Sequence, residues 1–214
     1  MQQSRFSWRS IRDSQVIWPL AALALLMLFN AFFTPNFFRL EIKDGHLFGS
    51  LIDILNRGSV LMVMAIGMTM VIATGGVDLS VGAVMAIAAS TAGVLITNAT
   101  LGNTLVASDQ LVQDVSMTPL WLVIVLALAV SALCGLWNGL LVSRGNIQPM
   151  VATLILMVAG RGIAQLITNG QIITIYYSPY YFIGNGYLLG LPFTLFIVLA
   201  LYLVTWLFTR RTAI

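Results

Sequence analysis

The sequence predicts an all-α protein, a polytopic bundle of transmembrane helices with one glycine-broken helix pair. Hydrophobic residues occupy 59% of the 214 positions, charged residues occupy 8%, and the mean hydropathy is +0.97. A soluble domain carries about 25% charged residues, so this composition argues strongly against a soluble fold. The apolar residues also form runs that are long enough to cross the hydrocarbon core of a bilayer.

Six apolar runs are expected to cross the membrane as helices of a single transmembrane domain, residues 1–214. The first run follows Arg5, Arg9 and Arg12 and ends without a small-residue cleavage site, which favours an uncleaved helix over a signal peptide. A polar stretch of mixed charge comes next, with a short interfacial helix expected at residues 51–56. The expected spans are residues 16–33, 58–74, 79–97, 119–142, 149–168 and 191–208.

The placement of arginine predicts the orientation of these spans. Arg144 follows the fourth run, and Arg210 and Arg211 follow the sixth, whereas residues 98–118 and 169–190 contain no lysine or arginine. Because positive residues collect on the cytoplasmic side, six crossings place the N-terminus and these three arginines in the cytoplasm. This agreement requires the second and third runs to be two passes, with the break between them reaching toward the cytoplasmic side.

Tyrosines are concentrated in the second arginine-free loop. Tyrosine and tryptophan are enriched where a chain lies at the level of the lipid headgroups, so an interface belt is the first interpretation. A docking surface for an external partner is the alternative. The residues concerned are Tyr176, Tyr177, Tyr180, Tyr181 and Tyr187.

Polar groups inside the apolar runs mark candidate positions in a transport path, because each is costly in lipid unless it is satisfied. Between the second and third runs, residues 75–80 read GGVDLS. Gly75 and Gly76 can end a helix, and Asp78 or Ser80 can cap the helix that follows. The start of that helix at membrane depth would suit a polar solute. A tight turn at the cytoplasmic surface, with the carboxylate in water, is the alternative.

The fifth run carries a second polar feature, with Arg161 near its middle. Arg161 belongs to a set of residues that recur at steps of three and four, which we call the stripe. Such residues share one helix face, and we expect this face to point away from lipid. We expect Arg161 to pair with Asp78 or with backbone carbonyls at the glycine break, and structural glue between helices is the alternative. The stripe consists of Thr153, Met157, Arg161, Gln165 and Thr168. With Asn138, which lies beside a small-residue pair, the candidate path residues are Gly75, Gly76, Asp78, Ser80, Asn138, Arg161 and Gln165.

The residue types that carry chemistry argue against catalysis. The single lysine, Lys43, is not part of a glycine-rich phosphate loop, so the chain cannot hydrolyse ATP by that route. One histidine and one cysteine cannot form a His/Cys metal cluster. No basic run offers a nucleic-acid surface. We therefore expect no catalytic residue, no metal site, no cofactor and no nucleic-acid partner.

Three stretches carry a specific resemblance. Residues 49–90 read GSLIDILNRGSVLMVMAIGMTMVIATGGVDLSVGAVMAIAAS, residues 135–173 read GLWNGLLVSRGNIQPMVATLILMVAGRGIAQLITNGQII, and FTRRTA follows near the C-terminus. They resemble the permease subunits of ribose- and galactofuranose-type sugar ABC importers, and the galactofuranose type is the most similar. The family segment GGVDLSVG corresponds to residues 75–82 and its GRG element to residues 160–162.

This resemblance implies a permease subunit of the cell inner membrane that forms the translocation path for a monosaccharide. A tandem ATP-binding subunit on the cytoplasmic side would bind and hydrolyse ATP. A periplasmic sugar-binding protein would deliver the solute, and a second permease subunit would complete a dimer. Family members continue beyond the TRRTA motif with a cytoplasmic segment and further helices, so the chain is similar to the N-terminal portion of a permease, truncated at its C-terminus.

Two other functions stay open. The first is an ion-coupled secondary carrier, in which Asp78 would be the coupling carboxylate. Carriers usually contain inverted repeats, and the sequence contains no second copy of the GGVDLS break. The second is a truncated membrane fragment that transports nothing.

Overall fold

The computed structural model describes residues 16–43, 46–97, 118–175 and 177–211. The chain forms two compact units, Met1–Leu55 and Asn56–Ile214. Within the described ranges the protein is all-α apart from two short hairpins, so the predicted fold class is confirmed.

The first unit contains one apolar helix and one hairpin. Helix α1 covers Ile17–Phe33, and its Phe29 and Phe33 rings stack at 4.4 Å between centroids. Strands β1 (Glu41–Lys43) and β2 (His46–Phe48) pair in antiparallel register.

Helix α2, Ser50–Ala73, corrects one expectation. Residues 51–56, predicted as a separate interfacial helix, are the first turns of this continuous helix. The sequence offers Gly58 as the break, but one glycine inside a helix costs only about 1 kcal/mol relative to alanine. The helical residues on both sides outweigh that cost, so the helix continues through it.

Each of the remaining apolar runs forms a helix with ends close to those predicted. The second unit contains α3 (Val81–Thr97), α4 (Leu120–Ser143), α5 (Pro149–Ile167), α6 (Ser178–Asn185), β3 (Tyr187–Leu188), β4 (Leu191–Pro192) and α7 (Phe193–Arg211). Proline stands immediately before α4 and at the first position of α5, where its missing N–H has no intrahelical partner to lose.

Among the residues that the structure describes, four helices, α2, α4, α5 and α7, are long and apolar enough to cross a membrane. Helices α1 and α3 are apolar but have 17 residues each, at the lower end of the spanning range. Helix α3 is short because the glycine break removes residues 74–80 from regular helix. The predicted spans therefore coincide with helices, and their passage through lipid stays a prediction.

Helix α3 forms the centre of the second unit, where it packs against both α4 and α5. Its inward residues are small or β-branched, as are most of their neighbours, which lets the helix backbones approach closely. The buried apolar residues of this core are Ala83, Ile87, Ala92, Ile96, Val123, Ala152, Leu156 and Ala164. The outer faces of these helices expose large apolar side chains, and α7 has no buried residue, as expected of helices whose solvent is lipid.

Candidate functional site

The glycine break ends α2 in a defined capping motif. Gly75 has φ of +78°, the left-handed region that favours glycine. The Gly75 N–H donates to the Ile72 carbonyl at 2.9 Å, and the Gly76 N–H donates to the Val71 carbonyl at 3.1 Å. These two bonds form the Schellman pattern, which satisfies carbonyls that the helix end would leave unpaired.

Asp78 holds the start of α3. Its Oδ1 accepts from the Ser80 backbone N–H at 2.7 Å and from the Ser80 hydroxyl at 2.6 Å. The Ser80 carbonyl accepts from the Val84 N–H at 2.9 Å, which makes Ser80 the N-cap residue of α3. The expected cap is therefore not formed: Asp78 satisfies the N–H of the N-cap residue, and within the described residues neither Asp78 nor Ser80 accepts from an N–H of the first helical turn through its side chain.

Asn138 joins this cap to α4. Its Nδ2 donates to the Ser80 Oγ at 3.0 Å, across 58 residues of sequence. Ser80 is fully buried and Asn138 is 8% exposed. Asp78, Ser80 and Asn138 thus form a hydrogen-bonded chain between the break, α3 and α4, which we call the polar cluster. A buried polar bond of this kind fixes which faces of α3 and α4 meet.

Helix α5 begins beside the same break. The buried Thr153 hydroxyl donates to the Pro149 carbonyl at 2.9 Å and lies 3.4 Å from the Val77 carbonyl. A Cβ at Gly76 would lie 3.8 Å from the Pro149 Cβ. The start of α5, the start of α3 and the C-terminal part of α4 therefore meet at one end of the second unit.

Arg161 and Gln165 do not join the polar cluster, and the expected pairing of Arg161 was wrong. Among the residues that the structure describes, Arg161 forms neither an ion pair with Asp78 nor a hydrogen bond to the break. Thr153 marks the level of the break on α5, and Arg161 lies eight residues later, about 12 Å along the helix axis. Gly160 and Ala164 occupy the buried face of α5, whereas Arg161 and Gln165 are exposed.

The opposite end of the second unit carries the tyrosines. Tyr177 and Tyr180 pack against a buried cluster of Ala92, Ile96 and Val123. Beside them lies a cavity of about 310 Å³, lined by Ile175, Tyr180, Tyr181, Ile183, Gly184 and Asn185. Tyr177 and Tyr180 are half-buried and Tyr176 lies outside the described residues, so the interface belt and the docking surface both stay predictions.

The candidate residues were found from sequence because they are polar positions within apolar runs. The bond between Ser80 and Asn138 was not predicted, and the contact between Thr153 and the break was missed. Periodicity identifies a helix face but not the neighbour that the face contacts. Within the described part of the chain no group of His, Cys, Asp or Glu is placed to hold a metal ion.

A bundle of long apolar helices that buries a polar cluster at a broken helix pair defines a multi-pass membrane protein. Its family follows from the sequence. Residues 50–214 match the family described as "Branched-chain amino acid transport system / permease component", and the chain belongs to this family. A permease component moves a solute without transforming it, so this membership assigns the chain to transport and not to catalysis.

Curated relatives confirm the resemblance to sugar permeases. The galactofuranose transporter permease protein YtfT of Escherichia coli K12 is 46% identical over 92% of this chain and 54% of the relative. The fructose import permease protein FruF of Bifidobacterium longum is 35% identical over 96% of this chain and 54% of the relative. The ribose import permease protein RbsC of Haemophilus influenzae is 32% identical over 90% and 53%.

The chain spans about half the length of these curated relatives. No solved structure matches it. The geometry of the break and of the polar cluster therefore comes from this chain alone.

Proposed function

We propose that the chain forms part of the translocation path of an ATP-driven importer for a monosaccharide of the galactofuranose or ribose kind. The observation that carries this proposal is the polar cluster, a hydrogen-bonded chain that includes the buried Ser80 and Asn138 and joins two apolar helices. Polar groups at membrane depth are costly and mark solute pathways. The printed names of the relatives, for galactofuranose, fructose and ribose, supply the class of solute.

The contacts of the cluster favour a neutral solute over an amino acid. A zwitterion needs a cation for its carboxylate as well as an acceptor for its ammonium group. The one carboxylate of the cluster, Asp78, accepts from Ser80 through its Oδ1, and within the described part of the chain no arginine forms an ion pair or a hydrogen bond with the cluster.

The remaining components follow from the importer proposal. A tandem ATP-binding subunit would bind and hydrolyse ATP at the cytoplasmic face, so the chain itself would need no cofactor. A periplasmic sugar-binding protein would deliver the solute, and a second permease subunit would complete the path. The chain would lie in the cell inner membrane with its N-terminus and Arg144 in the cytoplasm, in accord with the positive-inside rule.

The test is uptake by proteoliposomes that contain the chain, its ATP-binding subunit and its sugar-binding protein. Labelled galactose, fructose and ribose are compared with leucine, with and without internal ATP, and after collapse of the proton gradient. We expect ATP-dependent accumulation of a sugar, unchanged by the collapse, and none of leucine. Uptake that needs the gradient and not ATP would identify a secondary carrier. Absence of all uptake would support the non-transporting fragment.

A matched pair of serine variants connects the uptake to the polar cluster. Ser80→Ala removes the hydroxyl that links Asp78 to Asn138, whereas Ser131→Ala removes a hydroxyl that donates only to the Ala127 carbonyl of its own helix at 2.9 Å. We expect slower uptake for Ser80→Ala and wild-type uptake for Ser131→Ala. Equal rates for the two variants would separate the polar cluster from transport.

A further inference from the structure

The side-chain amide of Asn138 has one group without a partner. Its Oδ1 is buried and accepts no hydrogen bond within the described part of the chain. The orientation of the amide is fixed by its neighbours: the Ser80 hydroxyl spends its one proton on Asp78, so it can only accept from Asn138. Turning the amide over would face two acceptors toward each other. Asn138 therefore offers an acceptor that this fold leaves unused.

Unpaired donors are also present at the start of α3. The backbone N–H groups of Val81, Gly82 and Ala83 bond to no acceptor in the described ranges, because Asp78 serves the N–H of Ser80 instead. A helix start carries partial positive charge along with its free donors. The Asn138 Nδ2 bonds to Ser80, the N-cap residue of this helix, so the amide with its unpaired Oδ1 is held at the point where the helix begins.

We propose that this point is a binding site for one hydroxyl group of a neutral polyhydroxy solute. The hydroxyl donates to the Asn138 Oδ1 and accepts from an N–H in the first turn of α3. This inference rests on the proposed function and adds to it one specific contact between the chain and the solute. A carboxylate cannot donate and an ammonium group cannot accept, so neither satisfies both sides of the site. Asp78 is a positioning residue here, because it holds Ser80 and does not face the solute.

The site is closed in this structure. Ser80 is fully buried and Asn138 is 8% exposed, with the 3.0 Å bond between them linking α3 to α4. Entry of a solute hydroxyl therefore requires the side chains packed around the Asn138 Oδ1 to move aside while the bond to Ser80 holds the amide in place. A water molecule carries the same donor and acceptor chemistry, and the experiment must distinguish it from a solute hydroxyl.

A binding cycle makes this distinction. The full chain in lipid nanodiscs is titrated with D-galactose and with its 2-, 3-, 4- and 6-deoxy derivatives. Asn138→Ala is compared with Asn30→Ala, in which the lost amide donates to the Leu26 carbonyl of its own helix and accepts from the Thr34 hydroxyl at the end of that helix. We expect Asn138→Ala to weaken galactose binding about fivefold, the effect of one neutral hydrogen bond, and Asn30→Ala to leave it unchanged. One deoxy derivative should bind the wild type more weakly than galactose by the same factor, and it should bind Asn138→Ala as well as galactose does.

The outcomes separate this inference from the proposed function. Two results would overturn the inference: galactose binds Asn138→Ala as tightly as the wild type, or the deoxy derivatives have identical effects on the two proteins. Either result would mean that the Asn138 amide binds water and not the sugar, and neither would contradict the proposed sugar path. A wild-type chain that binds no galactose, fructose or ribose would contradict the proposed function itself. If Asn138→Ala fails to fold, Asn138→Leu keeps the approximate size of the side chain and lacks the acceptor. Deoxy effects identical in the wild type and in that variant would overturn the inference equally.

Discussion

Gly160 and Gly162 flank Arg161 in the GRG element, yet the structure gives the two glycines different environments. A Cβ at Gly160 would lie 2.9 Å from the Ala83 Cβ and 3.3 Å from the Ile87 Cδ1. A Cβ at Gly162 would meet nothing within 4 Å. Gly160 is therefore the residue that lets α5 approach α3, whereas Gly162 faces outward with Arg161.

Alanine at these two glycines should change stability in opposite directions. Gly160→Ala is expected to destabilise the chain by about 1–3 kcal/mol, because the added methyl group overpacks the contact with Ala83. Gly162→Ala should be neutral or stabilising by up to about 1 kcal/mol, since alanine is the better helix former. Thermal unfolding of both variants in detergent measures the difference. A Gly160→Ala protein that melts with or above Gly162→Ala would contradict close packing at this position.

At the scale of elements, the glycine pair was the most predictable feature of the candidate site. Two adjacent glycines followed by Asp78 and Ser80 predict a helix end and a new helix start, and the structure contains both. The ends of other helices follow from proline, as at Pro149. The interfacial helix at residues 51–56 was wrong because no local residue type could stop α2 there. Local chemistry predicts an element boundary where it forbids continuation of the helix.

The conformation of Gly75 gives this boundary a measurable energy. Gly75→Ala forces an L side chain into φ of +78° and should cost about 1–2 kcal/mol. Gly75→Asn should cost less, because asparagine tolerates the left-handed region. Gly67→Ala, inside α2 with no neighbour within 4 Å of its Cβ, is the control and should be neutral or stabilising. Melting temperatures that fall in the order Gly67→Ala, Gly75→Asn, Gly75→Ala would agree; equal values for the two alanine variants would not.

For the whole molecule, sequence predicted the helices and the polar positions but not how they meet. Apolar runs predict helices because lipid leaves the backbone no other partner. The Ser80–Asn138 bond joins residues on different helices, and only the packing of α3 against α4 and α5 brings it about. The predicted pairing of Arg161 with Asp78 was wrong for the same reason. Helical periodicity places Arg161 on one face with the rest of the stripe, but the face of α5 that packs inward carries Gly160 and Ala164.

The arrangement of helix ends bears on orientation, the last expectation that an experiment must decide. The break contacts the start of α5, which follows the turn at Arg144, whereas Tyr177 and Tyr180 pack at the other end of α3. The break and Arg144 therefore share one end of the second unit, as the positive-inside argument requires. If that end is cytoplasmic, residues near Asn185 lie outside the cell.

Cysteine labelling decides between the two orientations. Ser143→Cys and Asn185→Cys, both at exposed positions, are made in a Cys134→Ala background that removes the single native cysteine. A membrane-impermeant maleimide should label Asn185→Cys on intact spheroplasts and Ser143→Cys only after the membrane is opened, because the positive-inside rule puts Arg144 in the cytoplasm. Labelling of both in detergent controls for reactivity. The reverse pattern on intact spheroplasts would invert every span downstream of the break, and it would contradict the proposed binding of an ATP-binding subunit at the cytoplasmic face.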